Sequence, residues 1–337
     1  MFAWVYVEGI VELHKLGNTD FQITAIGLGT WAIGGDWAYG WGPQDDAESL
    51  AAIHRALEKG INWIDTAAVY GLGHSEQIVA RAVKEFKGAQ RPFIFTKCSL
   101  VWDAKGSVSH TLKRESIRRE CEDSLKRLQT EVIDLYQVHW PTQTPGDPVP
   151  DLEEGWGAMA ELQREGKVRY IGVSNFDVPQ MERARRIAPI SSLQPPYSML
   201  IRDIEDQILP YCSRHNIGVI VWAPMRSGLL SGSMTRERLQ SMAPGDWRRR
   251  NPAFREPAFS NALELVELLR AIGKRHRRTP GEVAIAWTLR RPEVTGAIVG
   301  ARRPEQVEGF IGAMDFRLSK QEVEEIEHAL PEPVPLM

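Results

Sequence analysis

Cysteine is scarce in this sequence: among 337 residues only Cys98, Cys121 and Cys212 carry thiols, far apart and with no C-x-x-C spacing. That argues against a zinc ribbon or a disulfide framework, and makes a reducing, cytoplasmic setting the expectation. An excess of one charge is also missing. Lys and Arg number 41 against 44 Asp and Glu, a net −3, so nothing in the balance draws the chain to nucleic acid or to an anionic membrane. The apolar opening, residues 1–13, is too short to span a bilayer, holds Glu8 and lacks a basic segment; it reads as an extension rather than a signal peptide. The run Arg248 to Arg250, flanked by Trp247 and Asn251, reads as a solvated loop rather than a phosphate-binding patch. No G-x-S-x-G elbow, P-loop or H-E-x-x-H is present, and no metal is expected.

What is there is alternation. With 43% hydrophobic and 25% charged residues the chain has the composition of a globular protein. Short apolar runs alternate with amphipathic stretches of about a dozen residues, the pattern of βα units around a parallel sheet. Eight runs qualify as strands buried on both faces: Ala25–Thr30, Asn62–Ala67, Phe93–Cys98, Val132–His139, Val168–Ser174, Ser192–Pro195, Gly218–Ala223 and Gly296–Gly300. Between them Leu50, Ile53, Leu57 and Ile61 keep helical spacing, and a second helix runs from Ser75 toward Gly88. Thr279 to Glu282 and Ser319 to Glu322 have the form of capping boxes.

Eight such units also suit a doubly wound open sheet. No linker halves the chain, however, so the expectation is an α/β fold: one (β/α)₈ TIM barrel over residues 14–337, with long loops at its C-terminal face and an extra C-terminal helix. Trp140 to Asp151 and Pro224 to Ser260 are too long for plain connectors, and both follow strands, where barrel enzymes place their sites. Gly27, Gly29 and Ala32 fit the dinucleotide pattern G-x-G-x-x-A, but the chain continues through Gly34, Gly35, Gly40 and Gly42 as loop, so no Rossmann helix is expected.

Polar residues stand at the ends of these apolar strands: Asp65, Lys97 and His139, with Tyr70 just beyond the second strand, then Ser174, Asn175 and Gln194. Singly, each has an ordinary reading as a turn former, a snorkelling lysine or a core histidine. Together at one end of successive strands, they point to a shared site.

Asp65-Thr66-Ala67-Ala68-Val69-Tyr70-Gly71 resembles the D-T-A-x-x-Y-G signature of the aldo-keto reductases. The likeness continues in order through Lys97, Asp134 to Trp140, Gly172 to Phe176, Gln194, Trp222 to Met225, Gly228 to Leu230 and Gly300 to Gln306, over about residues 14 to 330. It implies reduction of an aldehyde or ketone by hydride from nicotinamide C4. Tyr70 would donate the proton, tuned by Lys97 and Asp65, and His139 would orient the carbonyl. A phenol with an ordinary pKa of about 10 needs a nearby ammonium to release its proton readily.

For the cofactor the resemblance implies that Ser174, Asn175 and Gln194 meet the nicotinamide amide and that Trp222 stacks on its ring. Ala223, Pro224, Met225, Ser227, Gly228 and Leu230 would follow the pyrophosphate, with Gly29, Thr30, Trp31 and Asp65 on the facing side. Gly300 and Gln306 flank Arg302 and Arg303, a pair suited to a 2′-phosphate and hence to NADPH over NADH. The family's adenine-binding Glu-Asn pair is replaced here by Gly309-Phe310. Trp31, Tyr70, His139 and Trp140 are the expected substrate wall, with the loops around Trp37, Trp41 and Trp102 as further candidates. The resemblance extends to potassium-channel β-subunits, so a cofactor-sensing subunit with little turnover is the alternative; an aldolase using Lys97 as a Schiff base is a weaker one. A small-molecule carbonyl substrate is expected, with the protein a monomer or weak homo-oligomer.

Overall fold

The computed structural model describes residues 12–333 except 143 and 145, together with the backbone of residues 5–6 and 9–10. Eight parallel strands close into a barrel in chain order: β1 Ile26–Gly29, β2 Trp63–Asp65, β3 Phe93–Cys98, β4 Ile133–Val138, β5 Val168–Ser174, β6 Ser192–Gln194, β7 Gly218–Val221 and β8 Val294–Gly300. β8 returns to β1 through the pair Gly300 and Gly29. Every expected strand is present, and β3 and β5 match the expected limits to the residue.

The helices around the barrel are α1 Asp46–Glu58, α2 His74–Glu85, α3 Arg114–Leu128, α4 Leu152–Arg164, α5 Val178–Arg185, α6 Ile208–Arg214, α8 Ala258–His276 and α9 Pro280–Thr288, with the short α7 Arg236–Ser241 inside the long loop after β7 and α10 Pro304–Glu308 and α11 Lys320–Ala329 following β8. Both expected capping boxes form, at Thr279 before α9 and at Ser319 before α11, and a third stands at Asp177 before α5. Ser75 does not open its helix. Gly73 caps α2 at φ +101°, and Ser75 lies inside the first turn, its hydroxyl bonded to Thr30. None of the described helices is long and apolar enough to cross a membrane.

The apolar surface divides into two clusters. One lies between strands and helices; the other fills the barrel with Leu16, Phe21, Ile23, Trp63, Phe95, Leu135, Ile220 and Ile298. Three of these come from a hairpin, Leu13–Lys15 with Gln22–Thr24, and its turn, which plug the bottom of the barrel. Residues 1–11 of the expected extension lie outside the described side chains, and Leu13 already belongs to that hairpin. Gly27 owes its place to Trp63: a Cβ there would fall 2.2 Å from the indole, so this glycine makes room for a core side chain. After Gly29 and Thr30 comes only a short 3₁₀ turn, Trp31–Gly34.

Candidate active site

Strand register brings the polar strand ends to one level. Gly29 pairs with Asp65, Lys97 with Gln137, and Ser174 with Gln194, at the C-terminal mouth of the barrel. Above them opens a cavity of about 780 Å³ lined by residues from the ends of most strands and from the long loops.

At its floor Lys97 and Asp65 are both buried, with Nζ 2.6 Å from Oδ1. The ammonium also donates to the Thr66 carbonyl at 2.9 Å and reaches the Tyr70 hydroxyl at 3.5 Å. Asp65 Oδ2 accepts from the Gln194 amide at 2.8 Å, so Gln194 holds the carboxylate as well as lining the cavity. Burial pushes Asp65 up and Lys97 down, each toward its neutral form. The short contact between them opposes both shifts, which makes the pair stable only as a pair.

The Tyr70 and His139 rings meet edge to face at 5.6 Å. Burial, then the charge of Asp65, holds the Tyr70 phenol well above its ordinary value. The direction is opposite to the lowering expected from a nearby ammonium, although Lys97 Nζ stands 3.5 Å from the hydroxyl. Burial, then Lys97, holds His139 well below 6.5, so its imidazole is neutral and keeps one N–H to donate. Tyr70 is placed by a close approach that the sequence pattern did not announce. The backbone of Gly34 lies against that of Tyr70 and Gly71, and a Cβ on Gly34 would fall 2.7 Å from the Gly71 nitrogen.

One wall is built from a ladder of hydrogen bonds. Ser174 Oγ donates to the Gln194 carbonyl at 2.7 Å, and Asn175 Nδ2 to the His139 carbonyl at 2.9 Å. Trp222 Nε1 donates to Asn175 Oδ1 at 3.2 Å, which fixes the indole ring against the cavity. The chain then runs through Ala223, Pro224, Met225, Ser227 and Gly228 along the groove. Ala223, Arg226, Ser227 and Gly228 all have φ between +48° and +87°, a left-handed path that only Gly228 adopts freely. Leu230 departs from expectation: it is fully buried in the apolar cluster and does not line the cavity, because the short 3₁₀ turn Leu229–Ser231 directs it inward.

The opposite wall is aromatic. Trp31 stacks between Tyr70 and Trp247, at ring distances of 6.4 and 5.0 Å, and Trp41 stands edge-on to Trp31. Trp37, Tyr39, Leu100, Val108 and Trp140 complete this end of the cavity. Trp102 does not take part; it faces Arg127 from the hairpin Leu100–Trp102 with Val108–His110.

At the far end four arginines converge: Arg238, Arg248, Arg302 and Arg303 all line the groove. Arg248 is not the solvated residue expected from its run. It is buried, pairs with Asp246 and lies 4.3 Å over the Trp41 ring. The expected pair is split as well. The Arg302 guanidinium donates to Gln44 and to the Trp41 and Pro43 carbonyls, tying down the loop after β1. The Arg303 guanidinium makes no hydrogen bond or ion pair among the described residues. Sequence reading missed Arg238 and Arg248 because they reach the groove only through the path of the long loop after β7.

The site's donor set suits a dinucleotide: amide and hydroxyl groups beside an indole at one end, glycines at 29, 228 and 300 along the middle, guanidiniums at the other. No group of three His, Cys, Asp or Glu among the described residues is placed to hold a metal ion.

Residues 25–331 match the sequence profile of the Aldo/keto reductase family. The chain is 38% identical over 329 residues to the aldo-keto reductase YhdN of Bacillus subtilis (strain 168), covering 96% of each chain. It is 34% identical over 313 residues to a protein of Escherichia coli (strain K12) named NADH-specific methylglyoxal reductase, covering 90% of this chain and 94% of that one. Among solved structures it resembles a glycerol dehydrogenase of Gluconobacter oxydans, with a TM-score of 0.84, 36% identity and coverage of 96% and 98%. With the barrel, the strand-end polar group and these likenesses in agreement, the chain belongs to the aldo/keto reductase family of oxidoreductases.

Proposed function

We propose that the protein reduces a small aldehyde or ketone with NADPH, using Tyr70 as acid, Lys97 and Asp65 as its ion-paired support, and His139 to orient the carbonyl. The observation that carries this reading is the meeting of Lys97, Asp65, Tyr70 and His139 beside a groove whose other end gathers four arginines.

Ser174, Asn175, Gln194 and Trp222 would hold the nicotinamide end, Ala223 to Gly228 with Gly29 and Thr30 the pyrophosphate, and Gly300, Arg302, Arg303 and Gln306 the adenosine end. When bound, the cofactor supplies the hydride that becomes the new C–H bond. Tyr70, held in its acid form by burial, donates its proton as negative charge grows on the carbonyl oxygen. Lys97, 3.5 Å from the phenol oxygen, steadies the phenolate left behind. Neutral His139 donates a second hydrogen bond to the carbonyl oxygen. Trp31, Trp37 and Trp140 shield the reacting carbon from water.

The E. coli relative carries the name NADH-specific, so the choice of cofactor rests on the arginines. Guanidiniums crowded at one end of a groove repel one another, and a dianionic phosphate relieves that repulsion. Direct titration of the protein with NADPH and NADH, read by quenching of tryptophan fluorescence, tests the choice. Tighter binding of NADPH is expected, and equal or tighter binding of NADH would refute it. Oxidation of NADPH with methylglyoxal or 4-nitrobenzaldehyde tests the reaction.

A further inference from the structure

Lys97 and Cys98 end β3, and Ser99 then turns the chain outward into the hairpin with φ +78°, buried and left-handed without being glycine. An L-residue is strained in such a bend, so something must hold it. The holder is Glu120. This buried residue of α3 accepts the Ser99 N–H at 2.9 Å through Oε2 and the Ser116 hydroxyl at 3.0 Å through Oε1.

From the held bend Ser99 fastens the next strand end. Its hydroxyl donates to the Trp140 carbonyl at 3.0 Å and accepts the Trp140 N–H at 3.3 Å. His110 Nε2, across the hairpin, meets the same carbonyl at 2.8 Å. Trp140 follows His139 and lines the cavity. A carboxylate on the outer helix layer is thus connected through a single bent residue to the wall of the carbonyl site.

We propose that Glu120 is a positioning residue for substrate binding, holding the Ser99 bend from which Trp140 is fastened as a wall of the carbonyl site. The proposal rests on the reading of Trp140 as part of that wall. Burial raises the Glu120 carboxyl to about 7, against the opposing pull of its bonds to Ser116 and Ser99 and of Arg119 and Arg127 on its own helix. From β3 and β4 it faces the Cys98 thiol and the Tyr136 hydroxyl, and burial holds both well above their ordinary values, so neither is charged near neutral pH. Arg127 is paired with Glu76 of α2. Glu120 therefore changes charge across neutral pH, and a charged acceptor grips an N–H more firmly than a neutral one. The wall is tighter above pH 7 than below it. Tyr70 and His139 are displaced in opposite directions and leave that window clear.

The test measures KM and kcat for 4-nitrobenzaldehyde at saturating NADPH between pH 5.5 and 8.5. In the wild type KM should fall roughly three- to fivefold with a midpoint near pH 7, the scale set by a charge-assisted against a neutral hydrogen bond, while kcat changes less. Glu120→Gln should keep the high KM at every pH, and Ser99→Ala should raise KM throughout. His110→Gln should retain the inflection. The fluorescence difference between wild type and Trp140→Phe should titrate with the same midpoint and lose that transition in the Glu120→Gln background. A Glu120→Gln enzyme that follows the wild-type KM profile overturns the proposal, as does loss of the inflection in His110→Gln. If Glu120→Gln does not fold, Ser99→Ala and the wild-type fluorescence titration decide: an unchanged KM or no transition near pH 7 overturns it. Should the wild type reduce no carbonyl, the reductase reading fails, and the fluorescence titration still decides the role of Glu120.

Discussion

Lys97 Nζ lies 2.6 Å from Asp65 Oδ1, and both side chains are closed off from solvent. Neither charge would be tolerated there alone. Lys97→Met should therefore leave an unpaired buried carboxylate and destabilise the fold by roughly 3–5 kcal/mol, toward the lower end because the Gln194 amide still donates to Asp65. Chemical denaturation checks this. Carbonyl reduction by the folded variant should be lost at least as completely as in Tyr70→Phe, and a folded variant with wild-type turnover would contradict the proposed role.

Tyr70→Phe removes the acid and little else. A loss of about 10²–10⁴-fold in chemistry-limited turnover is expected, with cofactor affinity close to wild type. Because burial keeps the phenol well above 10, the acid form persists through alkaline pH, and turnover should stay level to at least pH 9. A fall between pH 7 and 9 that Tyr70→Phe lacks would show that the phenol ionises earlier.

Gly34→Ala probes the support beneath Tyr70. The added methyl would sit 2.7 Å from the Gly71 nitrogen and 2.9 Å from the Tyr70 carbonyl carbon, both backbone atoms that cannot swing aside. Overpacking of this kind costs about 1–3 kcal/mol, and a shift near 1 Å in a reacting group can cost about 10²-fold in rate. The expected result is a drop in kcat larger than any change in cofactor binding, and an unaffected kcat would mean that the loop has slack.

The two adjacent arginines should separate. Arg303→Ala should weaken NADPH by about 1.5–3 kcal/mol per charged hydrogen bond lost and leave NADH nearly untouched. Arg302 also ties down Trp41, Pro43 and Gln44, so Arg302→Ala should weaken both cofactors. Fluorescence titration of each variant with each cofactor distinguishes these outcomes. If Arg303→Ala weakens NADH as much as NADPH, this end of the groove does not read the 2′-phosphate.

Glu120 should also shape the pH dependence of stability. Its folded value of about 7 lies above the ordinary 4.5, so the native state binds more protons between those limits. Its contribution is full below pH 4.5 and disappears as pH rises through 7, about 3 kcal/mol in all by linkage. Denaturant midpoints across pH 4.5 to 8 should decline less steeply in Glu120→Gln than in the wild type. Parallel profiles would show that the carboxyl ionises normally in the fold.

Most of the barrel was legible in the sequence because strands buried on both faces are largely apolar, with polar residues confined to a few positions such as Arg169 and the strand ends. β3 and β5 stand out to the residue for that reason, whereas β2 and β6 pair over three residues each although their apolar runs continue further. The hairpin after β3 escaped notice: three-residue strands carry too little alternation to read. Asp65, Lys97, His139 and Gln194 were legible only as a group, since each alone has an ordinary structural use and their joint placement at one end of successive strands does not.

The sequence by itself thus determined the eight-stranded barrel and the level at which its polar residues gather, because strand burial and register are set over a few neighbouring residues. Only the tertiary structure decided that Arg238 and Arg248 join Arg303 while Arg302 turns to a loop, that Leu230 points into the core, and that Glu120 holds Ser99. Those outcomes depend on where long loops cross and which way single side chains face. Contacts between residues far apart in the chain, closed by packing and hydrogen bonding in three dimensions, leave no periodic trace in the order of residues.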